Sequence, residues 1–176
     1  MAEREILRYP DPILRKPAVS ISKPDTGLKS LIDDMTATMK QVHGLGLAAN
    51  QIGVLQKVLV YDEGKGPGVV LNPKIVSMSG EQVGPEGCLS FPGLQGDVRR
   101  ADKIEVRGNN MKGKPVKIKA EGLLARILQH EIDHLNGTLF IDRADPETLH
   151  YVTADDDDEG DDTPEAEPIR QIEPEL

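Results

Sequence analysis

Residues 121–136 constrain the fold of this chain more than any other stretch. Leu123, Leu124, Ile127, Leu128, Ile132 and Leu135 recur at helical spacing and cover most of the circumference. The segment is therefore expected to be a helix buried nearly all round, with Gly137 as its C-terminal stop. A helix of that kind has to sit at the centre of a domain, with the other elements wrapped around it. It also carries His130 and His134, four residues apart, whose imidazoles project from one face and can grip one metal ion. Glu131 lies beside the first of these, next to a water on the ion rather than on the ion itself. This is an arrangement for metal-assisted hydrolysis in a sheltered cleft, with a carboxylate as proton shuttle.

The rest of the pattern supplies the wrapping. Residues 6–20 are broken by three prolines and are expected to be extended or turning. Residues 26–43 place Leu28, Leu31, Ile32, Met35, Met39 and Val42 at a 3.6-residue spacing. They predict a helix capped by Asp25 or Thr26 and ended by Gly44. From Leu55 to Lys119 the pattern changes to short β-branched runs cut by Gly, Pro and Asn: 57–61, 68–71, 74–78, 103–107 and 116–119. The expected fold is α+β, with short antiparallel strands packed around the buried metal-binding helix and an N-terminal helix beside them.

Charge divides the chain in two. Its formal net charge is −9, yet residues 154–176 hold eleven acids against one base, Arg170, which makes that segment −10. Residues 1–153 are left with 20 bases and 19 acids, close to neutral, so no basic surface for DNA is expected. Residues 1–150 are read as one catalytic domain. Residues 151–176 are read as an acidic tail too polar to offset its ordering entropy, hence disordered and without a partner. No window reaches about 18 uninterrupted apolar residues, so no membrane span is expected. The start, Met-Ala-Glu-Arg-Glu, lacks the features of a signal or transit peptide, and Cys88 is the only cysteine. The expectation is a cytoplasmic protein.

Two further stretches bear on chemistry. Downstream of His134 the chain offers only His150 and acids as metal ligands, so a third ligand is sought upstream, and Glu86-Gly87-Cys88-Leu89-Ser90 contains one. A lone cysteine is more commonly a small buried core residue, and Cys88 has that alternative. Gly44-Leu45-Gly46-Leu47-Ala48-Ala49-Asn50-Gln51 lets a backbone approach a ligand closely and offers the Gln51 amide as a donor. Alone, it reads more readily as a tight helix-to-strand connection.

Taken together, the three stretches resemble the bacterial peptide deformylase family, which carries Gly-φ-Gly-φ-Ala-Ala-x-Gln, Glu-Gly-Cys-φ-Ser and Gln-His-Glu-x-Asp-His in this order. The opening Leu-Arg-Tyr-Pro-Asp-Pro-Ile-Leu-Arg is similar to the family's amino-terminal segment, and the resemblance covers residue 5 to about 145. It implies removal of the formyl group from N-formylmethionine at the start of newly made polypeptides, close to the ribosome, with release of formate. It further implies Cys88, His130 and His134 as metal ligands, Glu131 as general acid–base, and Gln51 with the Leu89 backbone N–H as oxyanion donors. Fe(II) is the implied ion, although a Cys/His/His set also accepts zinc, nickel or cobalt.

The surrounding residues are assigned less direct roles. Leu45, Gly46, Leu123 and Ile127 are expected to receive the substrate: the methionine side chain in an apolar pocket, the peptide extended along the backbone at 45–46 as an added strand. Glu86 is expected to hold the second nitrogen of a ligand histidine, and Asp133, on another helical face from Glu131, to pair with Arg100. Two rivals remain: a metallopeptidase cutting peptide bonds, and a non-catalytic family member braced by its metal.

Overall fold

A computed structural model describes residues 2–152; of the segment 151–176 expected to be disordered, residues 153–176 lie outside the described residues, whereas Tyr151 is ordered in a strand and Val152 N–H donates to the Gly93 carbonyl. The N-terminal helix α1 spans Thr26–Gln41, and the Asp25 side chain accepts from the Leu28 N–H at 2.8 Å as its N-cap. It stops two residues short of the expected end. The left-handed residue after it is His43 (φ 54°) rather than Gly44, whose packing against Leu89 and Met39 leaves no room for a side chain. The second helix, α2, spans Gly122–Leu135, and Gly137 (φ 77°) comes just after its C-cap Asn136.

Among the described residues, eight strands surround these helices: β1 (Gly46–Ala48), β2 (Val58–Tyr61), β3 (Gly68–Ser79), β4 (Gln82–Cys88), β5 (Phe91–Arg100), β6 (Lys103–Asn109), β7 (Pro115–Glu121) and β8 (His150–Tyr151). They form two antiparallel sheets, one of five strands in the order β1-β2-β3-β6-β7 and one of three in the order β4-β5-β8. Three departures from the sequence expectations have physical causes. The runs 68–71 and 74–78 are one strand, β3, which absorbs Asn72-Pro73 through shifts in register against β6. The β4–β5 hairpin, rich in Gly and Pro, is absent from the expected strands. So is β1, whose three residues lie in the stretch that reads as a connection.

Helix α2 packs between the sheets. Ala125, Leu128, Ile132 and Leu135 meet Leu59, Val70, Val106 and Ala120 from the large sheet in one cluster, while α1 packs a second cluster against β1 and β2. Its burial is nearly complete from Ala125 to Leu135, but not in the first turn, where Leu123 is half exposed. The N-terminal segment crosses all three regions that build the site. Leu7 N–H donates to the Gln51 carbonyl (2.7 Å), Tyr9 N–H to that of Ser90 (2.9 Å), and Ala18 N–H to that of Leu135 (2.8 Å).

Candidate metal centre

Three elements converge on one point. Helix α2 projects His130 and His134 from one face, with ring centroids 4.9 Å apart. Cys88 ends β4 at a break in the β4–β5 register, which turns its thiol toward the helix. Its Sγ lies 3.2 Å from His134 Nε2, and the donor atoms of Cys88, His130 and His134 all lie within 4.8 Å of one another. Among the described residues this is the one grouping of metal-ligating side chains so close together. A thiol and two imidazoles match a divalent transition ion, and three protein ligands leave room for solvent or substrate.

A buried ionic network orients the first imidazole. His130 Nδ1–H donates to Glu86 Oε1 at 2.8 Å, which leaves Nε2 to face the site. Arg100 holds the same carboxylate by two hydrogen bonds of 2.9 Å and reaches Asp133 at 2.6 Å. Arg143 grips Asp133 from the outside at 2.7 and 2.9 Å. Burial pushes the Glu86 carboxyl up, but hydrogen bonds from Arg100 and His130 and their charges outweigh it and hold the group at about 2. Burial likewise opposes charge on His130, yet its bonds to Cys88 and Glu86 raise it well above the ordinary imidazole value. His134 goes the other way: burial and the neighbouring His130 lower it, which favours its neutral form, whereas an ion held here would have to displace the proton that His130 otherwise keeps.

Glu131 is buried, and burial pushes its carboxyl up to about 7. Its Oε2 is buried without a hydrogen-bond partner, as is His134 Nδ1. An unpartnered carboxylate oxygen at this place fits a group that handles a proton beside bound solvent. Gly46 explains how the carboxyl reaches there, since a Cβ on that residue would lie 2.5 Å from Glu131 Oε1 and 2.9 Å from Cδ. The Gln51 amide is locked in orientation: Oε1 accepts from Ala48 N–H (2.9 Å), so Nε2 must be the end that faces Ser90 Oγ (3.2 Å) and Cys88 Sγ (3.6 Å).

These residues open into a cavity of about 600 Å³ lined by Leu45, Gly46, Leu89, Leu123 and Ile127 together with Gln51, Cys88, His130 and Glu131. Ile127 is buried, whereas Leu45 and Leu123 are half exposed at its edge. Sequence reasoning missed several neighbours. Arg126 donates to Glu86 at 2.6 Å, and its position one helical turn before His130 is a usable signal. Ser90 sits inside the Cys88 motif. Asn50, which donates to the His134 carbonyl, and Arg143 have no such mark.

Comparison with known proteins agrees with this geometry. The family model for polypeptide deformylase matches residues 3–150. Peptide deformylase 1 of Bacillus anthracis is 51% identical over 142 residues, which cover 80% of this chain and 91% of that protein. The crystal structure of a peptide deformylase from Legionella pneumophila superposes with a TM-score of 0.79 at 49% identity, covering 82% of this chain and 88% of that one. That of the Thermotoga maritima peptide deformylase gives 0.81 at 43% identity, covering 83% and 100%. With its three motifs brought together around one point, this chain belongs to the polypeptide deformylase family.

Proposed function

We propose that this chain hydrolyses the N-formyl amide of formylmethionine at the start of newly made polypeptides, releasing formate and a free amine. The convergence of Cys88, His130 and His134 beside a buried, unpartnered Glu131 carries the reading. These three side chains would hold one divalent ion, Fe(II) in the cell. When bound, such an ion supplies Lewis acidity, bringing a coordinated water's ionisation into the neutral range.

The chain's own residues do the rest. Glu131 accepts the proton of the attacking water and delivers it to the departing nitrogen as the C–N bond breaks. Gln51 Nε2 and the Leu89 backbone N–H are the donors for the negative charge that grows on the formyl oxygen. Because the Gln51 rotamer is set by Ala48 and Ser90, it need not reorganise as that charge appears. Glu86 fixes the His130 tautomer, and Arg100 and Asp133 hold Glu86 in place.

Substrate enters along the edge of the large sheet. The Asp62 N–H to Leu45 carbonyl bond (2.9 Å) and the pairing of Gly46 with Tyr61 alternate along β1. The polar groups of Gly46 therefore point away from β2 and into the cavity, where an extended peptide can add as a strand. Leu45, Leu123 and Ile127 flank the methionine side chain. An enzyme acting on nascent chains would work near the ribosome in the cytoplasm, a reducing compartment that suits the free thiol of Cys88.

Formate release from a formyl-Met peptide, set against cleavage of its unformylated twin, tests the reading. Hydrolysis of the formyl amide alone is expected. Cutting of the unformylated peptide would instead favour a metallopeptidase, and inertness toward both would favour a metal-braced, non-catalytic protein.

A further inference from the structure

The metal centre occupies one face of α2. Gln129, Ile132, Asp133 and Asn136 share another face at helical spacing, and they form the floor of a second cavity of about 950 Å³. No residue lines both cavities. The walls of the second come from β3 around its register shift, the β3–β4 turn, the end of β5 and Arg143. The β3 wall is fixed in place. Asn72, in a left-handed conformation (φ 49°), accepts from the Ile21 N–H at 2.8 Å and donates to the Ile21 carbonyl at 2.9 Å. A preformed space of this size suits a small molecule.

Its charge is unbalanced. Lys57, Lys74, Arg99, Arg100 and Arg143 line it, against two acids, Glu81 and Asp133. Both acids are already taken: Glu81 pairs with Arg99, and Asp133 accepts from Arg100 and Arg143 at once. The lysine ion pairs among the described residues are those of Lys29, Lys65 and Lys103, so Lys57 and Lys74 have no acid beside them there. Lys57 is half-buried, where an amine without a counter-ion is unfavourable. Its carbonyl accepts from the Asn72 N–H at 2.8 Å, which sets it beside the strand that carries Lys74. Arg143 spends Nε and Nη2 on Asp133, and among the described residues Nη1 has no acceptor. Beside these cations the lining is apolar, with Ile75, Met78 and Ile132.

We propose that this cavity binds a small organic phosphate of about nucleotide size. Lys57, Lys74 and Arg143 supply the donors for the phosphate, and Ile75, Met78 and Ile132 pack against the organic part. The positive excess belongs to the cavity and not to the molecule. Residues 1–153 are close to neutral and the whole chain carries −9, so a long polyanion such as RNA meets net repulsion beyond the cavity, whereas a small anion lies within it. The site is separate from the centre that would release formate, and the inference goes beyond the deformylase reading.

Titration calorimetry on the metal-loaded full chain at low ionic strength tests this, with adenosine 5′-monophosphate as the probe and adenosine as its uncharged twin. The monophosphate is expected to bind at least about tenfold tighter than adenosine, and a Lys57→Gln/Lys74→Gln variant should bind it about tenfold more weakly than the unaltered chain. Formate release from a formyl-Met peptide should be the same for both proteins, since neither lysine lines the other cavity. An unformylated Met peptide in that other cavity should leave the monophosphate bound. Absence of binding, equal affinity for the monophosphate and adenosine, or equal affinity in the two proteins would overturn the proposal while leaving the deformylase reading intact. Displacement by the Met peptide would also overturn it, by placing the probe at the metal centre. So would tighter binding of an oligouridine through the same lysines, which would assign the cavity to an RNA backbone instead.

Discussion

In the proposed mechanism Glu131 takes up a proton and gives it back, and the burial that raises its carboxyl to about 7 suits both tasks. Replacing it as Glu131→Gln keeps the shape and removes the proton acceptor. Formate release is expected to fall by about 10²–10⁴ while metal content, measured by elemental analysis on the same sample, stays unchanged. Individual residues at this site are legible in the sequence where they carry a spacing. His130 and His134 announce themselves by four-residue separation, and Glu131 by adjacency. The geometry of Cys88 is not legible from residues alone, because no local pattern ties a strand end to a helix forty residues later. Ser90 and Asn50 show the limit in sharper form: each acts through one hydrogen bond to a partner made by the fold, and nothing in the flanking sequence names that partner.

At the level of elements, helices are plain in the sequence and strands are so only in part. Helices α1 and α2 form inside their own apolar periodicity, so the sequence carries most of the information about them. The β4–β5 hairpin does not. Gly84, Pro85, Gly87, Pro92, Gly93 and Gly96 dilute any alternation, and the strands exist because each supplies the other's backbone partners. Strand β1 is a related case, since the small residues that disguise it as a connection are there to bring it close to α2. Gly46→Ala tests that closeness. The added methyl meets Glu131 along its whole carboxyl end, so the side chain must move while the strand keeps its pairing with β2. A loss of about 10²-fold in kcat/KM is expected. Circular dichroism spectra should remain unchanged, and a variant with full activity would separate Gly46 from the placement of Glu131.

For the molecule as a whole, the Glu86–Arg100–Asp133 network ties the small sheet to the central helix. The Arg100 side chain is 3% exposed and satisfies two carboxylates at once. Arg100→Ala leaves both without that partner, and a loss of about 3–5 kcal/mol in unfolding free energy is expected from denaturant titration. The same network sets the behaviour in acid. Glu86 is held at about 2 against an ordinary 4.5, so its contribution to stability is complete above about 4.5 and disappears as the pH falls toward 2. Unfolding midpoints measured across that window should drop in the unmodified protein and drop less in Glu86→Gln, whose side chain has no charge to lose.

The path of the first twenty residues has an implication for how this protein is born. They thread past the carbonyls of Gln51, Ser90 and Leu135, so this segment is held by residues that are synthesised much later than itself. A growing chain that has not yet exposed α2 has neither imidazole nor a seat for its own beginning. Maturation of the catalyst therefore waits until α2 has been made, and a copy stalled before that helix is inert, however much of its sheet has formed.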